Sequence, residues 1–142
     1  MVVRCIANTG KFLRKYEDKS LKKKHFGKFG TSWYTECNDL SIGEEYFVVA
    51  MSFGEGTLGY LLEGFDIHHT ALFFEVIDHR ISPKWFFNSF NEKNSCFPYR
   101  EAVWGFYEYA FDQDFVEKLF EGNKNTKQIY LERTIELKNS LL

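Results

Sequence analysis

The stretch YFVVAMSFGEGTLGYLL, residues 46–62, carries the clearest structural signal in the chain. It opens with an aromatic and β-branched run over residues 46–51, which is typical of a β-strand. The Gly54-Glu55-Gly56 segment then has the chemistry of a tight turn, and residues 58–62 run back as a second apolar segment. The pattern predicts a β-hairpin.

Further strands are expected on both sides of this hairpin. Residues 2–7 are short, partly β-branched and followed by an Asn-Thr-Gly turn, so they predict a first strand. Residues 71–78, ALFFEVID, predict another strand with one face more buried, and residues 85–87 predict a short one. Residues 8–39 show no sustained period, which indicates a long connection with at most a short strand near Ser32 to Thr35.

Helical patterns dominate the C-terminal part of the chain. Asp114 and Glu117 have capping-box spacing, and Gly122 is a good helix stop. The apolar face predicted between them consists of Phe115, Val116, Leu119 and Phe120. Residues 125–142 predict a surface helix, with Ile129, Ile135 and Leu137 on its apolar side. Residues 99–111 are ambiguous between strand and helix, and their spacing favours a helix.

These elements together predict a single α+β domain over residues 1–142. Residues 1–90 form a small antiparallel sheet, either open or curled like a barrel, and residues 99–142 form two or three C-terminal helices.

Composition indicates a folded, cytosolic protein. Hydrophobic residues make up 44% of the 142 residues, and 16 of them are Phe, which favours an ordered core over disorder. The N-terminus lacks the apolar core of a secretory signal, and no run approaches the roughly 18 apolar residues of a membrane helix. Cys5, Cys37 and Cys96 are odd in number and widely spaced, so we expect reduced, structural thiols.

Charge is distributed unevenly along the chain. Residues 11–28 carry eight Lys or Arg against two acids, a local balance of +6, whereas residues 29–79 contain no Lys or Arg and nine acids. A surface of one sign speeds encounter with an oppositely charged partner. We therefore predict a partner-binding surface made from acids of the basic-free window, namely Glu44, Glu45, Glu55, Glu63, Asp66, Glu75 and Asp78.

The lysine-rich segment, residues 11–28, has three readings: a solvated loop, a contact for the acidic window or a partner, or a nucleic-acid site. Nucleic-acid binders usually interleave basic side chains with aromatic ones. Here Phe12, Tyr16 and Phe26 are thinly spread, and the net charge of the whole chain is −2. A solvated loop without direct contact to nucleic acid is the expectation.

Three of the four histidines lie in one short stretch and raise the question of chemistry. His68 and His69 are adjacent, so on a strand they point to opposite faces and cannot share a metal ion. His79 lies about 30 Å away if the intervening strand is straight. Asp78 is expected to pair with Arg80, two residues on, rather than with His79. We find no nucleotide-binding, zinc-protease or hydrolase motif, so we predict no enzyme, no catalytic residue, no metal and no cofactor.

Two segments resemble a group of small, uncharacterised bacterial proteins. The shared pattern is Leu-x-x-Gly-x-x-Tyr, then Phe-Glu-Val-x-Asp-x-Arg-x-Ser, then an aromatic Trp, and it falls here on Leu40, Gly43, Tyr46, Phe74, Glu75, Val76, Asp78, Arg80, Ser82 and Trp85. Some such proteins resemble immunity proteins encoded beside polymorphic toxins, including those of contact-dependent growth inhibition. The resemblance covers residues 1–90 and, less closely, the helical tail, and it brings no catalytic residues with it.

The leading hypothesis is a cytosolic immunity protein that covers the active site or substrate groove of a cognate toxin, a basic nuclease domain. Carboxylates would contact the toxin's Lys and Arg, and exposed aromatics such as Phe86, Phe87, Phe90, Phe97 and Tyr99 would act as anchors. The alternatives are a binding or regulatory module of phage or mobile-element origin, and a small hydrolase that uses His69 or His79. No contact with a membrane is expected.

Overall fold

The computed structural model describes residues 1–91 and 100–142. At its centre lies the predicted hairpin, in which β2 (Glu45–Gly54) pairs antiparallel with β3 (Thr57–Leu62). Glu55 and Gly56 connect the two strands with positive φ angles of 52° and 73°, as a tight hairpin turn requires. The prediction of a hairpin in this stretch is confirmed.

Strand β2 is the central strand of a seven-stranded antiparallel sheet and pairs with three other strands. Its first half pairs with β1 (Val2–Cys5), and its second half pairs with β7 (Ala102–Gly105) on the edge opposite β3. The outer strands are β4 (His68–Thr70) beside β3, β5 (Phe74–Asp78) beside β1, and β6 (Phe86–Ser89) beside β7. The sheet is open rather than closed into a barrel.

The C-terminal part contains helices α2 (Tyr107–Phe111), α3 (Phe115–Phe120) and α4 (Lys124–Asn139). The α+β class and the C-terminal helices are therefore confirmed. The expectation of a helix throughout residues 99–111 is wrong, because residues 102–105 pair with β2 and β6 and only residues 107–111 are helical.

The ends of α3 show one prediction that is confirmed and one that is wrong. Gly122 follows α3 with a φ of 79°, as expected of a residue that terminates a helix. Asp114 is the N-cap of α3, but its side chain accepts no capping hydrogen bond, so the predicted capping box with Glu117 does not form.

Both faces of the sheet are covered, and each has its own core. One core joins Val49, Ala50 and Leu61 of the hairpin to α2, α3 and α4. The other joins Val48, Tyr60 and Leu62 to the N-terminal strand and the irregular segment 7–40. Val48 and Ala50 are two residues apart and would share one face of a regular strand, but they belong to different cores. A register shift in the pairing of β2 with β3 between these two residues accounts for this change of face.

The N-terminal segment is more ordered than the sequence indicates. It contains α1 (Gly10–Leu13), a 3₁₀ turn (Arg14–Tyr16) and an isolated bridge between Thr9 and Glu36, but no strand at residues 32–35. Leu13 and Leu40 are fully buried and anchor the segment to the sheet.

Candidate protein-binding surface

Three of the predicted acids lie together near β1, where an arginine joins two of them. Arg4 is the register partner of Glu45 on β2 and of Glu75 on β5. Its guanidinium donates to Glu45 at 2.9 Å and to Glu75 at 3.2 Å. Glu44 precedes Glu45 and is exposed. Because these ion pairs are about half exposed, they stabilise the fold only weakly, and they reduce the negative charge that this part of the sheet offers a partner.

The other predicted acids are dispersed. Asp78 pairs with Arg80 at 2.6 Å, as expected, and this contact lowers the pKa of the Asp78 carboxyl. Glu63 pairs with Lys138 of α4 at 2.8 Å. Glu55 lies in the turn at the far end of β2, on the order of 30 Å from Glu45 along the strand. The seven acids therefore do not form one surface.

Asp66 is the predicted acid that lies at an apolar groove. The groove has a volume of about 510 Å³ and lies between the β3–β4 connection and α3. Ile67, Val116 and Phe120 provide its apolar lining, while Glu117 and Glu121 join Asp66 at its rim. Carboxylates from two distant parts of the sequence thus meet around one hydrophobic depression.

Tyr130 of α4 holds the β3–β4 connection in place beside this groove. Its hydroxyl donates to the carbonyl oxygen of Leu62 at 2.6 Å and accepts from the amide of Gly64 at 3.0 Å. Burial is the main cause that raises the pKa of Tyr130 to about 12, so the hydroxyl stays protonated at neutral pH. Gly64 has a φ of 86°, which lets the chain turn toward Asp66.

The groove offers a partner both apolar area and negative charge. The side chain of Phe120 is 63% exposed, so most of its ring is accessible to a partner. Within residues 1–91 and 100–142, none of Asp66, Glu117 and Glu121 has a cation within 4.0 Å. An exposed aromatic ring surrounded by available carboxylates suits a basic segment of another protein.

Sequence reasoning missed most of this groove. The prediction that Phe120 belongs to the apolar face of α3 is wrong, because Phe115, Val116 and Leu119 pack against the core while Phe120 is 63% exposed. Glu117 and Glu121 lie outside the basic-free window, so the charge pattern does not point to them. The spacing Glu117, Phe120, Glu121 does place one aromatic ring beside two acids on one helical side, a signal that was present in the sequence.

The two adjacent histidines point to opposite faces of the sheet, as predicted. Nε2 of His68 and the Tyr109 hydroxyl share a hydrogen bond of 2.6 Å on the helix side. His69 donates through Nε2 to Asp39 at 3.0 Å on the other side. Desolvation, with the nearby Arg100 charge, lowers the pKa of His68 to about 3, and burial raises that of Tyr109 to about 12. At neutral pH both groups of the first pair are uncharged, which suits a structural hydrogen bond.

Strand β4, which carries His68 and His69, and strand β5, which ends at Asp78, lie at opposite ends of the strand order. In the part of the chain that the structure describes, no three His, Cys, Asp or Glu side chains come close enough to hold a metal ion.

A second exposed aromatic surface lies on β6. Phe86 and Phe87 are exposed, as predicted, and Phe86 contacts Tyr107 and Phe111 with ring centroids 5.5 and 5.8 Å apart. The carboxylates of Glu108 and Glu136 near this surface are paired within the molecule, because Arg133 donates to both. Cys96, Phe97 and Tyr99 fall outside the described residues, and Phe90 is half-buried.

Among the described residues, no helix is long and apolar enough to cross a membrane. Comparison with known proteins yields no matching family model, no matching curated protein and no matching solved structure.

Proposed function

We propose that this protein is a cytosolic immunity protein that binds a basic toxin domain, of the nuclease type, and blocks its active site or substrate groove. The observation that carries the protein-binding part of this proposal is the apolar groove at Ile67 and Phe120 with its three available carboxylates. The identity of the partner as a toxin rests on the sequence resemblance to immunity proteins.

Phe120 and the three carboxylates contribute differently to binding. An apolar side chain of the toxin packs on Phe120 and Ile67, which supplies most of the affinity, since buried aromatic anchors dominate interface energies. Lys and Arg side chains around it contact Asp66, Glu117 and Glu121, which speeds association and orients the toxin. A nuclease surface that binds phosphates would meet carboxylates in their place.

The test is a binding measurement with the toxin domain encoded beside this gene, using an inactivated form of that domain and isothermal titration calorimetry. We expect tight binding, with the affinity of Phe120→Ala reduced by about 30-fold or more, as for an interface hot spot. The association rate of Glu117→Lys, measured by stopped-flow fluorescence, should fall and depend less on salt, because Asp66 and Glu121 remain. Tyr34→Ala is the matched control, because Tyr34 is 69% exposed and lies in the N-terminal segment away from the groove.

Two outcomes would overturn the proposal. One is the absence of binding between the wild-type chain and the toxin domain encoded beside it, together with equal survival of cells that express the active toxin with and without this chain. The other is an equal effect of Phe120→Ala and Tyr34→Ala, which would place the interface elsewhere.

A further inference from the structure

Seven lysines of the N-terminal segment are exposed and available to a ligand. They are Lys11, Lys15, Lys19, Lys22, Lys23, Lys24 and Lys28. Among the residues that the structure describes, no carboxylate oxygen lies within 4.0 Å of any of their ammonium groups. The dispersed acids of residues 29–79 therefore do not neutralise this basic surface from within the molecule.

Folding also brings aromatic rings among these lysines. Trp33 lies between two of them, with the ammonium groups of Lys23 and Lys11 at 4.9 and 5.4 Å from its ring centroid. Phe26 and Tyr34 are 72% and 69% exposed, so most of each ring faces solvent. Trp33 and Tyr34 lie outside the lysine run in sequence. In the fold, the backbone amide of Trp33 donates to the carbonyl of Lys23, which brings residues 33 and 34 next to the run.

A largely buried ion pair holds the segment in this conformation. Arg14 donates to Glu17 at 2.9 Å, and their side chains are only 9% and 3% exposed. The same guanidinium donates to the backbone carbonyls of Lys23 and His25, at the centre of the lysine run. The lysines thus project from an anchored loop, and less side-chain and loop entropy is lost when they bind a ligand.

We propose that this basic surface, residues 11–28 with Trp33 and Tyr34, binds single-stranded nucleic acid. Its lysines contact phosphates, and bases stack on the exposed rings of Phe26 and Tyr34, the combination that single-strand binders use. An acidic protein would meet the lysines with carboxylates and an anionic membrane with headgroups, whereas a single strand uses both features together, with phosphates on the lysines and bases on the two exposed rings. This activity is separate from the proposed toxin binding, and it departs from the sequence-based expectation of a solvated loop without direct contact to nucleic acid.

The experiment measures fluorescence anisotropy of labelled oligothymidylate with the full chain across a salt series. We expect the Phe26→Ala/Tyr34→Ala double variant to bind about tenfold more weakly at fixed salt, because stacking is lost. Replacing Lys22, Lys23 and Lys24 with Gln should reduce the slope of log K against log salt by about two units, from three lost phosphate contacts. All five positions are exposed, so circular dichroism should show unchanged folding.

Phe120→Ala is the matched control, because its ring is 63% exposed but lies beside carboxylates rather than lysines. It should bind oligothymidylate as the wild type does. The proposal is overturned if duplex DNA or anionic phospholipid vesicles bind as tightly as the single strand, or if the Phe26→Ala/Tyr34→Ala variant is unaffected. Toxin binding is measured separately, so the failure of one proposal leaves the other standing.

Discussion

The two faces of the central hairpin are covered by different kinds of structure. On one face, helices α2 to α4 supply a continuous set of apolar side chains, while on the other an irregular segment contributes isolated anchors such as Leu13 and Leu40. Both sets of residues are equally inaccessible to solvent. Tight packing therefore does not need regular secondary structure, provided that the backbone of the irregular segment is fixed by close contacts.

Gly10→Ala tests this comparison with the largest expected effect. A methyl group at Gly10 would overlap the backbone carbonyl of Ser32, which cannot move aside by changing rotamer. We expect the free energy of unfolding in urea to fall by more than about 3 kcal/mol, the upper end for overpacking. Gly105→Ala, on the helix-covered face, meets the Ala50 methyl at 2.7 Å and should cost about 1–3 kcal/mol. A wild-type midpoint for Gly10→Ala would mean that the irregular face is loosely packed.

The histidine of the helix-covered face should make stability depend on pH. Burial lowers the pKa of His68 to about 3 in the folded protein, against 6.5 for an exposed imidazole. Between these values the unfolded chain binds a proton that the folded chain does not, so the free energy of unfolding falls as pH decreases from 6.5, by up to about 1.4 kcal/mol per pH unit. His68→Gln should remove this part of the slope in urea titrations at several pH values.

Tyr109→Phe is the control for this pH effect, because it removes the hydrogen bond but leaves the imidazole of His68 in place. It should lower stability at all pH values while keeping the slope. An identical slope in His68→Gln and the wild type would show that His68 is not the group responsible.

The smallest expected effect concerns two exposed ion pairs of the sheet. Arg4 of β1 contacts Glu45 and Glu75 at the surface. Arg4→Ala should cost less than about 1 kcal/mol, with the loss shrinking in high salt. Arg133→Ala, whose contacts with Glu108 are less exposed, should cost more in the same thermal unfolding measurement. The reverse order would contradict the burial pattern.

The difference between the two faces also explains what could be predicted from sequence. The hairpin has a clear composition and turn signal, β5 and the two later helices have periods of two or 3.6, and all four form at or near the expected positions. The predicted strand over residues 71–78 is shorter than expected, because residues 71–73 form a 3₁₀ turn before β5. Gly105 and the aromatic residues around β7 are compatible with strand and helix alike, and pairing of β7 with the distant β2 decides between them. Ile135 fits the apolar period of α4 but is exposed, whereas Leu137 is buried. The core therefore covers a narrower strip of the α4 surface than the apolar pattern predicts.

The candidate groove was less predictable, because charge counts along a chain do not report distances in space. The basic-free window includes Asp66, but its neighbours Glu117 and Glu121 come from α3. Glu55 belongs to the same window but lies in the hairpin turn, at the other end of β3 from Asp66. Whether a carboxylate is available also depends on cations that folding brings near it, as Lys138 does for Glu63.

The position of β7 beside β2 has a consequence for synthesis in the cell. Val49, Ala50 and Leu61 are covered by side chains from residues 103–137, so a nascent chain shorter than this exposes them at the ribosome. The core on the opposite face draws only on residues 1–85, and it can close first. Until residues 103–137 have been synthesised, the helix side of the hairpin therefore exposes apolar side chains. During this interval the nascent chain is most prone to aggregate and most in need of chaperones.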